Sequence, residues 1–196
     1  MAKISSQCQL IVRFLYSIRG QLTLATARRA AEALIISRID YGLLMCIGAP
    51  KSMLGILRKT LNSACRLVHQ LPYGSHTSSY LHSLSWLPIP ARIDFKVAML
   101  VHKVALGLAL QYLLELFTAA NDIPTRSAKS FFEPASIGTT NWYSKSFAFY
   151  GSRLYNGLPP KMRDCQSIAS FKKQLKPHLM AKSFDSSLSL TEYATV

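Results

Sequence analysis

The chain has 196 residues, 49% of them hydrophobic, enough for one domain or two small ones built around a real core. Its 23 Lys and Arg against 9 Asp and Glu give a formal net charge of +14, a balance that favours a polyanionic partner, nucleic acid ahead of anionic membrane. The four cysteines, Cys8, Cys46, Cys65 and Cys165, form no Cys-x-x-Cys pair, which argues against a zinc ribbon or a disulfide framework and for free thiols in a reducing compartment.

The first twenty residues carry Ile4, Leu10, Ile11, Phe14, Leu15 and Ile18 at amphipathic helical spacing, up to Gly20. Arg13 and Arg19 break the apolar patch and no cleavage site comes after it, so the segment is a poor secretory signal. The periodicity starts with no lead-in, which points to a piece of a longer protein. Thr23 suits the N-cap of a second helix whose expected buried face is Leu24, Ala27, Ala31, Leu34 and Ile35. Arg28, Arg29 and Arg38 fall outside that face. Arg28 and Glu32 are spaced to pair, and Asp40 to meet an arginine.

A third helix is expected from about 52 to 69, with Met53, Leu54, Leu57, Leu61, Ala64 and Val68 inward. Arg58, Asn62 and Arg66 recur at four-residue steps with Lys59 alongside. Such a row suits phosphate and sugar contacts. It also suits an ordinary solvated face. The stretch 71–79 (LPYGSHTSS) is a Pro, Gly and Ser-rich loop and the expected boundary between two subdomains, 1–70 and 77–182.

Residues 82–117 hold the longest periodic apolar segment. Pro88 and Pro90 turn the chain, and Pro90 fits the first turn of a helix in which Ile93, Val97, Leu100, Val101 and Val104 recur. Arg92, Lys96 and Lys103 make a basic stripe on another face. Trp86 reads as a core anchor ahead of a base-stacking platform. Gly107 interrupts the helix, and a second apolar run continues to Phe117. The uncharged part is too short to span a bilayer.

Beyond Phe117 a surface loop is expected, then a small β-hairpin near 131–147, with 131–137 against 141–147. A short helical turn should end at Asn156-Gly157. Ser167 suits the N-cap of a last helix that sets Ile168, Phe171, Leu175 and Leu179 against Lys172, Lys173 and Lys176. The tail, 183–196, is expected to be disordered. The fold class is therefore mainly α, a bundle of about five to seven helices with one small hairpin.

Catalytic signatures are missing. The nine carboxylates are scattered, with no Asp-Asp pair, no Gly-rich phosphate loop and no Gly-x-Ser-x-Gly. His69, His76 and His82 lack a companion acidic cluster, which argues against a metal site. No cofactor, no small-molecule substrate and no catalysis by this chain alone are expected.

Whole strings along residues 10–180 resemble the C-terminal part of reverse transcriptases from LINE-type (non-LTR) retrotransposons, of the jockey-like kind. The strings are Ser37-Arg38-Ile39-Asp40-Tyr41, Pro50-Lys51-Ser52, Leu84-x-Trp86-Leu87-Pro88-Ile89 with Arg92-Ile93-Asp94-Phe95-Lys96, Gly107-Leu108-Ala109, Leu154-Tyr155-Asn156-Gly157-Leu158-Pro159 and Ser170-Phe171-Lys172. The chain departs from the family pattern at Gly42, Leu110 and Tyr155. The resemblance implies a parent RNA-directed DNA polymerase whose fingers and palm, with the catalytic carboxylates, lie elsewhere. Residues 1–70 then correspond to a helical thumb that packs on template–primer duplex, and the remainder to the post-thumb region. The implied role is binding of RNA or an RNA–DNA duplex through basic helix faces. The residues assigned to it are Arg28, Arg29, Arg58, Lys59, Asn62, Arg66, Arg92, Lys96, Lys103, Lys172, Lys173 and Lys176. The missing fingers and palm are a candidate protein partner. The competing reading is a decayed structural or interaction fragment. Either fits a soluble intracellular protein, cytoplasmic or nuclear.

Overall fold

The computed structural model describes residues 2–117, 132 and 146–184. They are mainly helical and, among them, there is no strand or sheet. The chain divides into two compact units, one of residues 1–93 with 183–185, the other of 94–182 with 186–196.

In the first unit, α1 (Ala2–Ser17) buries Cys8, Val12 and Leu15. α2 (Leu24–Ala31) starts at Thr23, whose hydroxyl accepts from the Thr26 amide as the sequence predicts. α2 continues through a π-helical turn, Glu32–Ile36, into α3 (Ser37–Tyr41). The π turn corrects the expected buried face. Its extra residue per turn rotates the helix beyond it, so adjacent Ile35 and Ile36 are both buried together with Ile39, while Leu34 turns outward. Leu24, also expected inside, opens its helix exposed.

α4 (Lys51–Val68) packs its Leu57, Leu61, Ala64, Cys65 and Val68 side into the core against α1 and α2. Ser5 and Thr60 hydroxyls bond at 2.8 Å between α1 and α4, so this buried pair is satisfied. Cys8, Cys46 and Cys65 are buried and free, and burial pushes the Cys65 thiol up to about 11. α4 ends with Gln70 in the left-handed region at φ 53°, closed by the Leu71 amide on the Arg66 carbonyl.

α5 (Ser78–Ser83) ends the same way. Ser85 takes φ 55° and the Trp86 amide bonds the Leu81 carbonyl. That cap turns Trp86 into the core, where its indole N–H donates to Glu32 at 2.9 Å. Trp86 is thus the anchor the sequence suggested.

The expected boundary at 71–79 falls inside this first unit, because polar contacts tie the chain after it to the N-terminal helices. Arg28 donates to the Leu84 carbonyl at 3.1 Å and to Glu32 at 2.9 Å. Arg92 donates to the Leu87 carbonyl and bridges to Asp40 at 3.1 Å. α6 (Ile89–Ala105) begins with Pro90 in its first turn, gives residues to 93 to this unit, and runs on into the second.

In the second unit, α6 is capped by Gly107, whose φ of 68° suits glycine, with the Leu108 amide on the Lys103 carbonyl. α7 (Gln111–Leu114) comes next. The hairpin expected near 131–147 lies, apart from Phe132 and 146–147, outside the described residues, and its final residue is helical. Ser146 caps α8 (Phe147–Asn156) by accepting from the Phe149 amide. α8 is also longer than the short turn expected there. α9 (Pro160–Arg163) and α10 (Ile168–Phe184) complete the unit. The tail expected to be disordered lies outside the described residues, except Ser183 and Phe184, which end α10.

The second core is aromatic and partly polar. Phe171 and Leu175 are buried with Val97, Val101, Phe117 and Phe132. Asn156 clamps Phe132 through both backbone groups. Tyr150 donates to the buried Asp94 carboxylate, an architectural role. His102 is fully buried, stacked on Phe171 with centroids 3.9 Å apart, and its Nδ1 lies 2.9 Å from the Tyr155 hydroxyl. Burial pushes the His102 pKa down and the Tyr155 pKa up to about 12.

Both cores can be probed by unfolding. Asp40→Asn leaves Arg92 nearly buried without its counter-charge, and should cost about 2–3 kcal/mol in denaturant unfolding, less than a fully buried pair because Asp40 keeps partial exposure. His102 protonates less readily when folded than when unfolded. Its contribution is therefore complete above about pH 6.5 and is lost as pH falls below that value, by up to about 1.4 kcal/mol per pH unit. Unfolding midpoints between pH 7 and 5 should fall with pH, and His102→Gln should make that fall shallower, with His178, which burial also holds low, still contributing.

Candidate nucleic-acid interface

α4 has four basic residues and no acidic one. Its core side leaves one face outward. At 100° per residue, Lys51, Gly55, Lys59, Asn62 and Arg66 lie opposite the buried leucines, with Arg58 on the flank. Lys51, Arg58 and Lys59 are exposed, and Asn62 and Arg66 half-buried. The helix thus brings together the four residues assigned to the row and adds Lys51, which sequence reasoning missed although it lies two turns before Lys59 on the same face.

Arg66 has a second job. Its Nε and Nη2 both donate to the Ser75 carbonyl, at 3.1 and 2.9 Å. This clamps a tight turn, 72–75, in which the Ser75 amide bonds the Pro72 carbonyl and Gly74 takes φ 90°. That is a type II turn, with glycine where positive φ is required. Tyr73 stands at its tip, wholly exposed. Arg19 reaches the same end of α4. Its carbonyl accepts from Gln70, and its guanidinium lies 5.1 Å over the Tyr16 ring. Burial raises the Tyr16 pKa while Arg19 and Arg66 oppose the rise, so both cations lie near that ring.

The other assigned residues separate. Arg29 is exposed on α2, but Arg28 is engaged by Glu32 and Leu84, and Arg92 is nearly buried by Asp40 and Leu87. Arg28 and Arg92 hold the fold. In the second unit Lys103, Lys172 and Lys173 are exposed, while Lys96 and Lys176 are half-buried and have partners.

Charge in the first unit is strongly one-sided. Residues 1–93 contain eleven Lys and Arg and two carboxylates, Glu32 and Asp40. Both carboxylates pair with internal arginines. The cations of α4 therefore have no carboxylate from residues 1–93 to compensate them. Among the described residues no three His, Cys, Asp or Glu side chains gather as a metal site, and no helix is long and apolar enough to cross a membrane. His69 is turned to Tyr80, ring centroids 4.8 Å apart, while His76 and His82 are exposed.

Arg66→Ala removes both bonds to Ser75. The half-exposed site should lose about 1–2 kcal/mol, and hydrogen exchange of the amides at 73–77 should accelerate well beyond that of α4 itself. No family model, curated protein or solved structure matches the chain.

Proposed function

We propose that the chain is a non-catalytic nucleic-acid-binding module, with its first unit gripping the phosphate backbone through the outer face of α4. The carrying observation is an 18-residue helix with four cations and no anion, in a stretch, residues 1–93, whose two carboxylates are both paired with internal arginines. Lys51, Arg58 and Lys59 supply exposed charge, and Asn62 supplies a hydrogen-bonding amide between them. Such a row reads no base edge, so binding is sequence-independent and driven by counterion release. Arg29 and, in the second unit, Lys103, Lys172 and Lys173 are secondary contributors. The string resemblance supports the more specific reading: the thumb and post-thumb part of a LINE-type reverse transcriptase, resting on template–primer duplex or element RNA.

A second reading has its own support. Leu10, Phe14, Leu24, Tyr41 and Met45 are exposed large apolar residues in the first unit. Such surface suits an interaction fragment that docks on a protein partner such as a polymerase palm.

Binding of the full chain to an RNA–DNA duplex, titrated over salt, separates the two. Affinity should fall steeply and linearly in log–log form, and a variant carrying Arg58→Ala and Lys59→Ala should bind less tightly with a slope shallower by about two. A flat salt response, or an unchanged slope in the variant, would sink the backbone-binding reading.

A further inference from the structure

We infer that Tyr73 is a stacking platform for an unpaired base of a single-stranded nucleic acid whose backbone lies along α4; this rests on the reading of the α4 face above. Tyrosine is usually at least half-buried, since its ring carries much apolar surface. Here the ring is 100% exposed. It is nevertheless not on a loose loop. The turn beneath it is fixed by the Ser75 amide and hydroxyl on the Pro72 carbonyl, by Gly74 at positive φ, and by two bonds from Arg66. A rigid support that presents an aromatic ring to solvent lowers the ordering cost of stacking on it.

Position completes the argument. Arg66 sits on the outer face of α4, so the turn it clamps stands at the C-terminal end of the basic row. Lys59 precedes Arg66 by seven residues, about 10 Å along the helix axis, a span of a few nucleotides. Arg19 adds charge at the same end. A cationic track that ends in an exposed aromatic is how proteins hold single strands: charge tracks the backbone, and the ring takes a base without reading its identity. A fully paired duplex offers no free base face along its length, so Tyr73 would favour a single strand or the unpaired end of a duplex.

The test compares two labelled oligonucleotides of equal length, one with bases and one abasic, binding to the full chain and to its Tyr73→Ala and Tyr73→Phe variants. Wild type should prefer the base-bearing strand. Tyr73→Ala should weaken that strand by about 5- to 150-fold and leave the abasic strand unchanged, while Tyr73→Phe keeps wild-type affinity for both. Equal wild-type affinity for the two strands, with no effect of Tyr73→Ala, overturns the stacking role and leaves backbone binding standing. Equal weakening of both strands by Tyr73→Ala also overturns it. Failure of the wild-type chain to bind either strand overturns the stacking role, and the duplex salt titration above then decides the backbone reading by itself.

Discussion

The first unit depends on how the two carboxylates of residues 1–93 are used. Glu32 accepts from Arg28 and from the Trp86 indole, and Asp40 takes Arg92. The Trp86 and Arg92 contacts join the π turn and α3 to residues more than fifty positions later in the chain. They place the Trp86 turn and the start of α6 on the N-terminal helices. Burying a charge is costly without a partner, so the nearly buried Arg92 relies on Asp40, while Arg28 and Glu32 form a more exposed pair that contributes less. The same arrangement leaves residues 1–93 without a further carboxylate for their remaining cations.

Leaving several cations unpaired on one helix is unfavourable for the folded chain, though modestly so at physiological ionic strength, where exposed charges are screened over about 8 Å. α4 tolerates it because its opposite side is well packed: Leu57, Leu61, Ala64 and Cys65 are essentially inaccessible. Hydrophobic burial holds the helix, and the outer face is free to be chosen for something other than stability. Gly55 fits this view, since a Cβ there would meet nothing within 4 Å. That position gives up helix propensity in a part of the face that is open.

Much of this was legible in the sequence, for physical reasons that can be named. The Thr23 cap, the Pro90 start, the periodic leucines of α4 and the anchoring role of Trp86 come from local rules that need no tertiary knowledge. The π turn at Glu32–Ile36 did not, because its one-residue shift is set by packing of Ile35 and Ile36 and a 3.6-residue period reads straight through it. The loop at 71–79 falls inside one compact unit, since a Pro and Gly-rich loop marks a turn and need not break contacts. Here Arg66 holds that loop against α4. A signal for Tyr73 was present in part: Gly74 is the residue a type II turn favours at its third position, which puts Tyr73 at the second, a corner of the turn.

The arginines show why the candidate site was harder to read than the fold. Arg28, Arg66 and Arg92 each donate to a backbone carbonyl between Ser75 and Leu87. A guanidinium presents planar, forked donors, and a phosphate oxygen, a carboxylate and a main-chain carbonyl all satisfy them. Spacing on a helix cannot tell these acceptors apart, since each requires only that the side chain leave the core. Lysine carries a compact, strongly hydrated charge and is less suited to such internal clamps. Lys51 and Lys59 accordingly remain exposed on α4 while Arg66 turns to the chain. The basic row is thus two materials: a lysine and Arg58 section open to an outside anion, and an arginine end that shapes the surface on which Tyr73 is carried.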